Sequence, residues 1–268
     1  MMRVVHLDLD NTLIYSYKHI LPDSAGCPAV CPPSADRWRN VETYQGRDIS
    51  YMTERTQALL RNLRKKCLIV PTTTRTIEQY SRINAGVGAF EYALVCNGGI
   101  LLVNGESDRA WYGQSRRMIA DCTGELQHAL RLLEKEPLRK FELRFIEELF
   151  IFTKCNDPDT VITGMKRELD TEKVDVLGNG EKVYVVPKML NKGTAVRRFR
   201  EYMGADEVIA AGDSEFDAPM MEAADIGIVP ADFCRKYTVK GKIKEMKGER
   251  VFSEEMLSWI EENQREEV

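Results

Sequence analysis

Val4-Val5-His6-Leu7-Asp8-Leu9-Asp10-Asn11-Thr12-Leu13 is the stretch on which the reading of this chain turns. A short apolar run leads directly into acidic residues, as a strand buried on both faces does where it leaves a parallel sheet. Adjacent strand residues point to opposite faces, so Asp10, two positions on, returns to the side of Asp8 or sits where the chain turns into the loop. Taken alone, the pair is also compatible with turn or helix-cap acids.

The same pattern recurs outward from this point. Residues 67–70 form a second short apolar run, followed by Pro71-Thr72-Thr73-Thr74-Arg75. Residues 92–96 form a third, closed by Asn97-Gly98-Gly99, and residues 208–211 a fourth, followed by Gly212-Asp213-Ser214-Glu215-Phe216-Asp217. Helical periodicity fills 53–66, 77–83, 193–203 (ended by Gly204), 216–223 and 254–263, and residues 226–229 are a last strand. Residues 41–44 and 48–51 flank Gln45-Gly46-Arg47 as a hairpin inside a Pro-, Gly- and Ser-containing segment, 15–46, that otherwise reads as loop or flap. Between 111 and 187 the rhythm changes to α-β-β-α-β-β: helices at about 114–135 and 157–171, strands at 141–146, 149–154, 174–177 and 182–186. The expected fold class is α/β, a Rossmann-like parallel-sheet core (1–110 and 188–268) with an inserted smaller α+β domain (111–187).

Length and composition fit a globular enzyme. The chain has 268 residues, 43% hydrophobic and 30% charged, enough for one large or two modest domains. A formal charge of −4 leaves no basic footprint, so no nucleic acid and no membrane partner is expected. No stretch approaches the roughly 20 apolar residues of a spanning helix, and Asp8 comes too early for a signal-peptide core. Seven scattered cysteines favour reduced thiols and a cytoplasmic location. Cys27 and Cys31 have no second pair or histidine nearby, so they read as loop cysteines rather than half a metal site. The expected partner is a small polar molecule, with the protein itself a monomer or homodimer.

Ligands of open α/β sheets bind beyond the carboxyl ends of the strands. The polar residues expected there are Asp8, Asp10 and Thr12; Thr72, Thr73, Thr74 and Arg75; Asn97; and Asp213, Ser214 and Asp217, with Lys192 opening the helix after the insertion. Several carboxylates at one sheet edge repel one another unless a cation joins them, and hard oxygens without histidine or cysteine point to Mg2+. The expected ligands are the Asp8 side chain, the Asp10 main-chain carbonyl and the Asp213 side chain, with Asp217 behind them or linked through water. Asp217 also reads as a helix N-terminal acid, both roles being compatible. Lys188 rivals Lys192. His6 precedes the sheet edge and reads as a packed strand residue. Arg144 and Lys154, beside Glu142, Glu147 and Glu148, are either a solvated face of the inserted sheet or substrate contacts.

These residues resemble the haloacid dehalogenase-like phosphohydrolases. Asp8-Leu9-Asp10-Asn11-Thr12 matches the DxDxT signature, Thr73 resembles the second motif, Lys192 in Asn191-Lys192-Gly193 the third, and Gly212 to Asp217 the acidic fourth. The insertion lies where that superfamily carries its larger cap, and its element order is similar to the sucrose-phosphatase, trehalose-phosphatase and phosphomannomutase group. Two departures stand out: Thr74 occupies a position where glycine is common, which leaves Thr72 or Thr73 for the second motif, and Ser214-Glu215-Phe216 replaces frequent glycine and asparagine. The resemblance implies attack by Asp8 on phosphorus, with Asp10 as acid and base and Lys192 and Thr73 at the phosphoryl oxygens. The expected substrate contacts are Thr74, Arg75, Asn97 (which also reads as a turn residue), Arg144 and Lys154. Hydrolysis of a small sugar or polyol phosphate is the leading expectation. Transfer to another sugar hydroxyl, as in a mutase, and non-catalytic phospholigand binding are the alternatives.

Overall fold

The computed structural model describes residues 2–17 and 37–263; Cys27, Cys31 and most of the segment 15–46 lie outside the described residues. The chain divides into two compact units, one of residues 1–98, 102–106 and 192–268, the other of 99–101 and 107–191. The second unit starts earlier and ends later than the expected 111–187: Asp108 caps a helix beginning at Arg109, and residues 188–191, after the last strand Lys182–Pro187, group with it.

The first unit is built on a parallel five-stranded sheet in the order Ile243–Glu245, Ile226–Val229, Glu207–Ala211, Arg3–Leu7, Leu68–Pro71. Tyr92–Val95 continues it through a parallel bridge between Thr72 and Leu94. Strand Arg3–Leu7 is buried throughout, its apolar Val4, Val5 and Leu7 accompanied by Arg3, which pairs with Glu207, and by His6. Ile243–Glu245 escapes sequence reading because only Ile243 is apolar; it is a half-exposed edge strand.

Helices cover this sheet with one apolar face each. Glu54–Leu63 is capped by Thr53, whose hydroxyl accepts from the Thr56 amide, and it buries Leu59, Leu60 and Leu63. It packs with Phe252–Glu262, which buries Met256, Leu257 and Ile260 in the same core. The expected 77–83 helix is shorter, Ile77–Ser81, with a capping box between Thr76 and Gln79. The expected 216–223 helix begins as a 3-10 turn, Glu215–Asp217, before Ala218–Ala223.

A small antiparallel sheet joins Tyr15–Ser16, Arg47–Thr53 and Trp38–Tyr44. Its hairpin is longer than expected but turns at the expected place. Gln45 and Gly46 both have positive φ (50° and 73°), the signature of a two-residue turn matched to strand twist.

The second unit has a four-stranded antiparallel sheet, Val174–Asn179, Lys182–Pro187, Phe150–Lys154, Arg144–Ile146. Thr123–Glu134 and Pro158–Glu168 bury Leu126, Ala129, Leu133, Val161 and Met165 against Ile151, Val176, Val183 and Val185. The single helix expected at about 114–135 is two, Arg109–Met118 and Thr123–Glu134, with a 3-10 turn Ala120–Cys122 between. β-Branched Ile119 and Thr123 followed by Gly124 weaken helix propensity at that point. The strand expected from 141 is confined to Arg144–Ile146.

Candidate active site

The register of the parallel sheet sets the site. Leu7 pairs with Ala211 on one side and Pro71 on the other, so the next residues, Asp8, Gly212 and Thr72, emerge level with one another. The Asp8 amide donates to the Ala211 carbonyl (2.9 Å) and the Thr72 amide to the Leu7 carbonyl (2.8 Å), extending the ladder one step past the strands. Beyond Asp8 the chain folds on itself: the amides of Leu13 and Ile14 donate to the Leu9 carbonyl (2.9 and 2.8 Å), and Asn11 is left-handed (φ 58°).

Asp8 is buried, and its Oδ1 accepts from Lys192 Nζ at 2.5 Å. The same ammonium donates to Asp217 Oδ1, also at 2.5 Å, and Lys192 is only 1% exposed. A lysine is buried here because two carboxylates receive it. Burial by itself lowers the Lys192 pKa, but Asp217 and Asp8 outweigh burial and hold it above its ordinary value. Burial raises Asp8 to about 7; Lys192 opposes the rise, while Asp217 and Asp10 add to it. Asp213 is raised well above the ordinary carboxylate range, by burial first and then by Asp8 and Asp217.

Asp217 organises the loop of the fourth motif. Its Oδ2 accepts from the amides of Asp213 (3.1 Å) and Ser214 (2.9 Å) and from the Ser214 hydroxyl (2.8 Å). Thr12 Oγ1 donates to Asp213 Oδ1 at 3.3 Å, tying the first motif to the fourth. Two glycines permit these approaches. A Cβ on Gly212 would lie 2.4 Å from Asp217 Cγ, and one on Gly193 would lie 2.1 Å from the Pro219 carbonyl oxygen. Lys188, the rival of Lys192, is half exposed and faces Asp175 at 3.8 Å.

Of the threonines, Thr72 has its hydroxyl engaged behind the sheet edge: it donates to the Val70 carbonyl (3.2 Å) and meets His6 Nδ1 at 2.9 Å. His6 is fully buried, edge-on to Phe199, and burial lowers its pKa to about 3, so it is a neutral packing residue. Thr73 Oγ1 accepts from the Arg75 amide at 3.2 Å, and the Thr73 carbonyl accepts from the amide of Asn97 at 3.0 Å. Asn97 is buried and left-handed (φ 58°), following Cys96 in the same conformation.

Asp10 differs from the other acids. Its side chain is 53% exposed and is gripped by the Arg75 guanidinium, Nε to Oδ2 at 2.9 Å and an Nη to Oδ1 at 2.7 Å. Arg75, expected to meet substrate, therefore holds Asp10 instead in this structure. Sequence reasoning missed the residue behind it, Glu42, whose buried carboxylate accepts from the other Arg75 Nη at 2.8 Å. Only an acidic residue within a hairpin strand signalled it. In the second unit, Arg144 and Lys154 converge on one ring: the Arg144 guanidinium lies 5.1 Å and the Lys154 ammonium 5.2 Å from the Phe141 centroid. Arg144 also pairs with Glu142.

Asp8, Asp213 and Asp217 each offer a carboxylate oxygen, and these atoms lie within 4.8 Å of one another. This all-oxygen donor set fits a hard divalent cation, and the raised Asp8 and Asp213 are the groups such a charge would relieve. Among the described residues, no helix is long and apolar enough to cross a membrane.

Comparison with known proteins agrees with this architecture. Residues 106–232 match the family model described as haloacid dehalogenase-like hydrolase. A phosphoglycolate phosphatase of Methanopyrus kandleri is 29% identical over 178 residues, 65% of this chain and 74% of that one. Another, of Methanosarcina acetivorans, is 31% identical over 127 residues, 42% of this chain and 53% of that one. Among solved structures, the sucrose-phosphatase of Synechocystis sp. PCC6803, in complex with sucrose and phosphate, aligns with a TM-score of 0.64 at 16% identity over 97% of both chains. A haloacid dehalogenase-like hydrolase from B. subtilis aligns with a TM-score of 0.57 at 14% identity, over 98% of this chain and 100% of that one. At such identities the structural likeness speaks for the fold alone. Fold and family match together define a hydrolase with a parallel-sheet α/β core and an α+β insertion. The chain is similar to the haloacid dehalogenase-like hydrolases and is a phosphatase.

Proposed function

We propose that this protein is a Mg2+-dependent phosphomonoester hydrolase that works through an aspartyl-phosphate on Asp8. The observation that carries the reading is the buried Lys192 ammonium, 2.5 Å from both Asp8 and Asp217, beside the Asp213 carboxylate. A lysine so placed keeps Asp8 oriented and ready as a carboxylate while supplying positive charge where phosphoryl oxygens arrive.

In the first step an Asp8 oxygen attacks phosphorus, the bond from phosphorus to the leaving oxygen breaks, and Asp10 gives that oxygen a proton. In the second, Asp10 takes a proton from water as the water oxygen attacks phosphorus, which releases phosphate and frees Asp8. Lys192 and the Thr73 hydroxyl bind the transferring phosphoryl oxygens. Asp8 and Asp213, with the Asp10 main-chain carbonyl, would hold Mg2+, and Asp217 would support them from behind. When bound, the cation neutralises phosphate charge and lowers repulsion among the carboxylates.

The substrate we propose is a small phosphomonoester. The curated relatives put phosphoglycolate first among candidates, and the sucrose-phosphatase likeness supports sugar or polyol phosphates as the neighbouring class. Thr74, Arg144 and Lys154 are proposed substrate contacts. The protein is proposed to act in the cytoplasm as a monomer or homodimer. The test is phosphate release from a panel of phosphoglycolate, sugar, polyol and nucleotide phosphates, with and without Mg2+, for the wild type and Asp8→Asn. Metal-dependent release that vanishes in Asp8→Asn supports the reading; turnover that persists in Asp8→Asn refutes it.

A further inference from the structure

We propose that Glu42, on the hairpin strand Trp38–Tyr44, is a positioning residue for the proton-transfer step, acting through the Arg75 fork on the Asp10 carboxylate. The inference rests on the reading of Asp10 as the acid and base of the reaction.

Glu42 stands where the hairpin departs from regular pairing. Asn40 pairs with Tyr51, Glu42 with Ser50 and Thr43 with Asp48, so the register slips on both sides of Glu42. Such irregularities re-aim side chains. Here Glu42 is turned inward to 1% exposure, although it lies in a strand with exposed neighbours Thr43 and Tyr44. The backbone is pinned there by a bridge from Glu42 to Ile83 and by the Asn84 amide donating to the Val41 carbonyl at 2.7 Å.

A buried carboxylate persists only where donors meet it. Glu42 Oε2 accepts from the Ser50 hydroxyl (2.7 Å) and from an Arg75 Nη (2.8 Å), and Oε1 accepts from Arg82 Nε (3.2 Å). Arg75 then uses its remaining edge, Nε and the other Nη, for both oxygens of Asp10. A guanidinium is planar, so anchoring one nitrogen on Glu42 sets the plane that the Asp10 carboxylate must share. Arg75 is further fixed at its backbone, where its amide donates to Thr73 Oγ1 and its carbonyl accepts from the Cys96 amide at 2.7 Å.

Asp10 needs this support more than the other acids do. Asp8 is enclosed and Asp217 takes several donors, whereas the Asp10 side chain is about half exposed. Proton transfer depends on orientation within hydrogen-bond reach. A hairpin residue that never touches the substrate thus fixes the direction of the transferring group.

The test is a double-mutant cycle on kcat and KM with the best alkyl phosphate of the panel. Glu42→Gln is expected to lower kcat about tenfold, part of the effect of a general acid or base, with KM changed less than twofold. In the Asp10→Asn background the same substitution is expected to change kcat less than twofold. Equal losses in both backgrounds would mean a structural role and overturn the proposal, as would a fully active Glu42→Gln. If Glu42→Gln does not fold, Arg75→Lys carries the cycle, since it keeps the charge facing Glu42 but loses the fork. Asp10→Asn alone separates the two readings. If it leaves kcat unchanged, the acid–base assignment falls and this proposal with it; if it lowers kcat and Glu42→Gln and Arg75→Lys do not, only the positioning role is lost.

Discussion

The Lys192 ammonium lies 2.5 Å from Asp8 Oδ1 across 184 residues of chain, and both groups are buried. The contact joins the first parallel strand to the helix Lys192–Met203 that resumes the core after the inserted unit. Removing one partner of a buried ion pair leaves charge without compensation, at a cost of about 3–5 kcal/mol. Lys192→Met should therefore lower unfolding free energy by about 3 kcal/mol in urea denaturation and reduce kcat at least a hundredfold. A variant with wild-type stability and turnover would show that Asp8 and Asp217 do not depend on this lysine.

Stability should also respond to pH through Asp8. Burial raises its folded value to about 7, above the ordinary 3.8 of the unfolded chain. Between those values the folded state binds more protons, so without divalent cation stability falls as pH rises from about 4 to 7. Asp8→Asn removes that loss. In EDTA its stability should fall less than that of wild type as pH rises from about 4 to 8, and added Mg2+ should narrow the difference. Parallel stability curves for the two proteins from pH 4 to 8 would contradict the shift.

Chelation supplies a separate check on the acidic cluster. EDTA should abolish phosphate release and Mg2+ restore it, and Mg2+ should raise the wild-type Tm by several degrees. Asp213→Asn should lose both responses. A Tm that climbs equally in Asp213→Asn would move the cation elsewhere.

The two adjacent threonines separate structure from chemistry. Thr72→Val breaks the contact with His6 Nδ1, and a buried donor left unpaired costs roughly 1–3 kcal/mol. It should lower stability while keeping kcat within threefold. Thr73→Val should do the reverse, costing at least tenfold in kcat/KM. The opposite pattern would reassign the second motif to Thr72.

Gly193 is predicted to be irreplaceable for packing. Alanine would place a Cβ 2.1 Å from the Pro219 carbonyl oxygen, against backbone that cannot rotate away. Overpacking of this kind costs about 1–3 kcal/mol, and the shift displaces the adjoining Lys192. Gly193→Ala should lose both stability and turnover; near wild-type values for both would show that the two helices separate freely.

By itself the sequence determined the parallel α/β framework. Apolar runs ending in Asp8, Thr72, Asn97 and Gly212 identify strands that terminate at a polar edge, and Asn179-Gly180 and Gln45-Gly46 mark hairpins by local turn chemistry. These are short-range properties, encoded within a few residues. The break at residues 119–122 and the edge strand Ile243–Glu245 were decided by tertiary packing, because their local propensity is weak. So was the division of labour among site residues. The sequence points to Thr73 with Thr72 one residue away, and only the His6 contact engages Thr72 behind the sheet edge. Asp8 and Asp10 read as a matched pair, yet burial encloses one while Arg75 and Glu42 hold the other at the surface. Register brings distant strand ends level, but burial and ion pairing depend on which side chains arrive together, and that information lies in contacts between residues far apart in the chain.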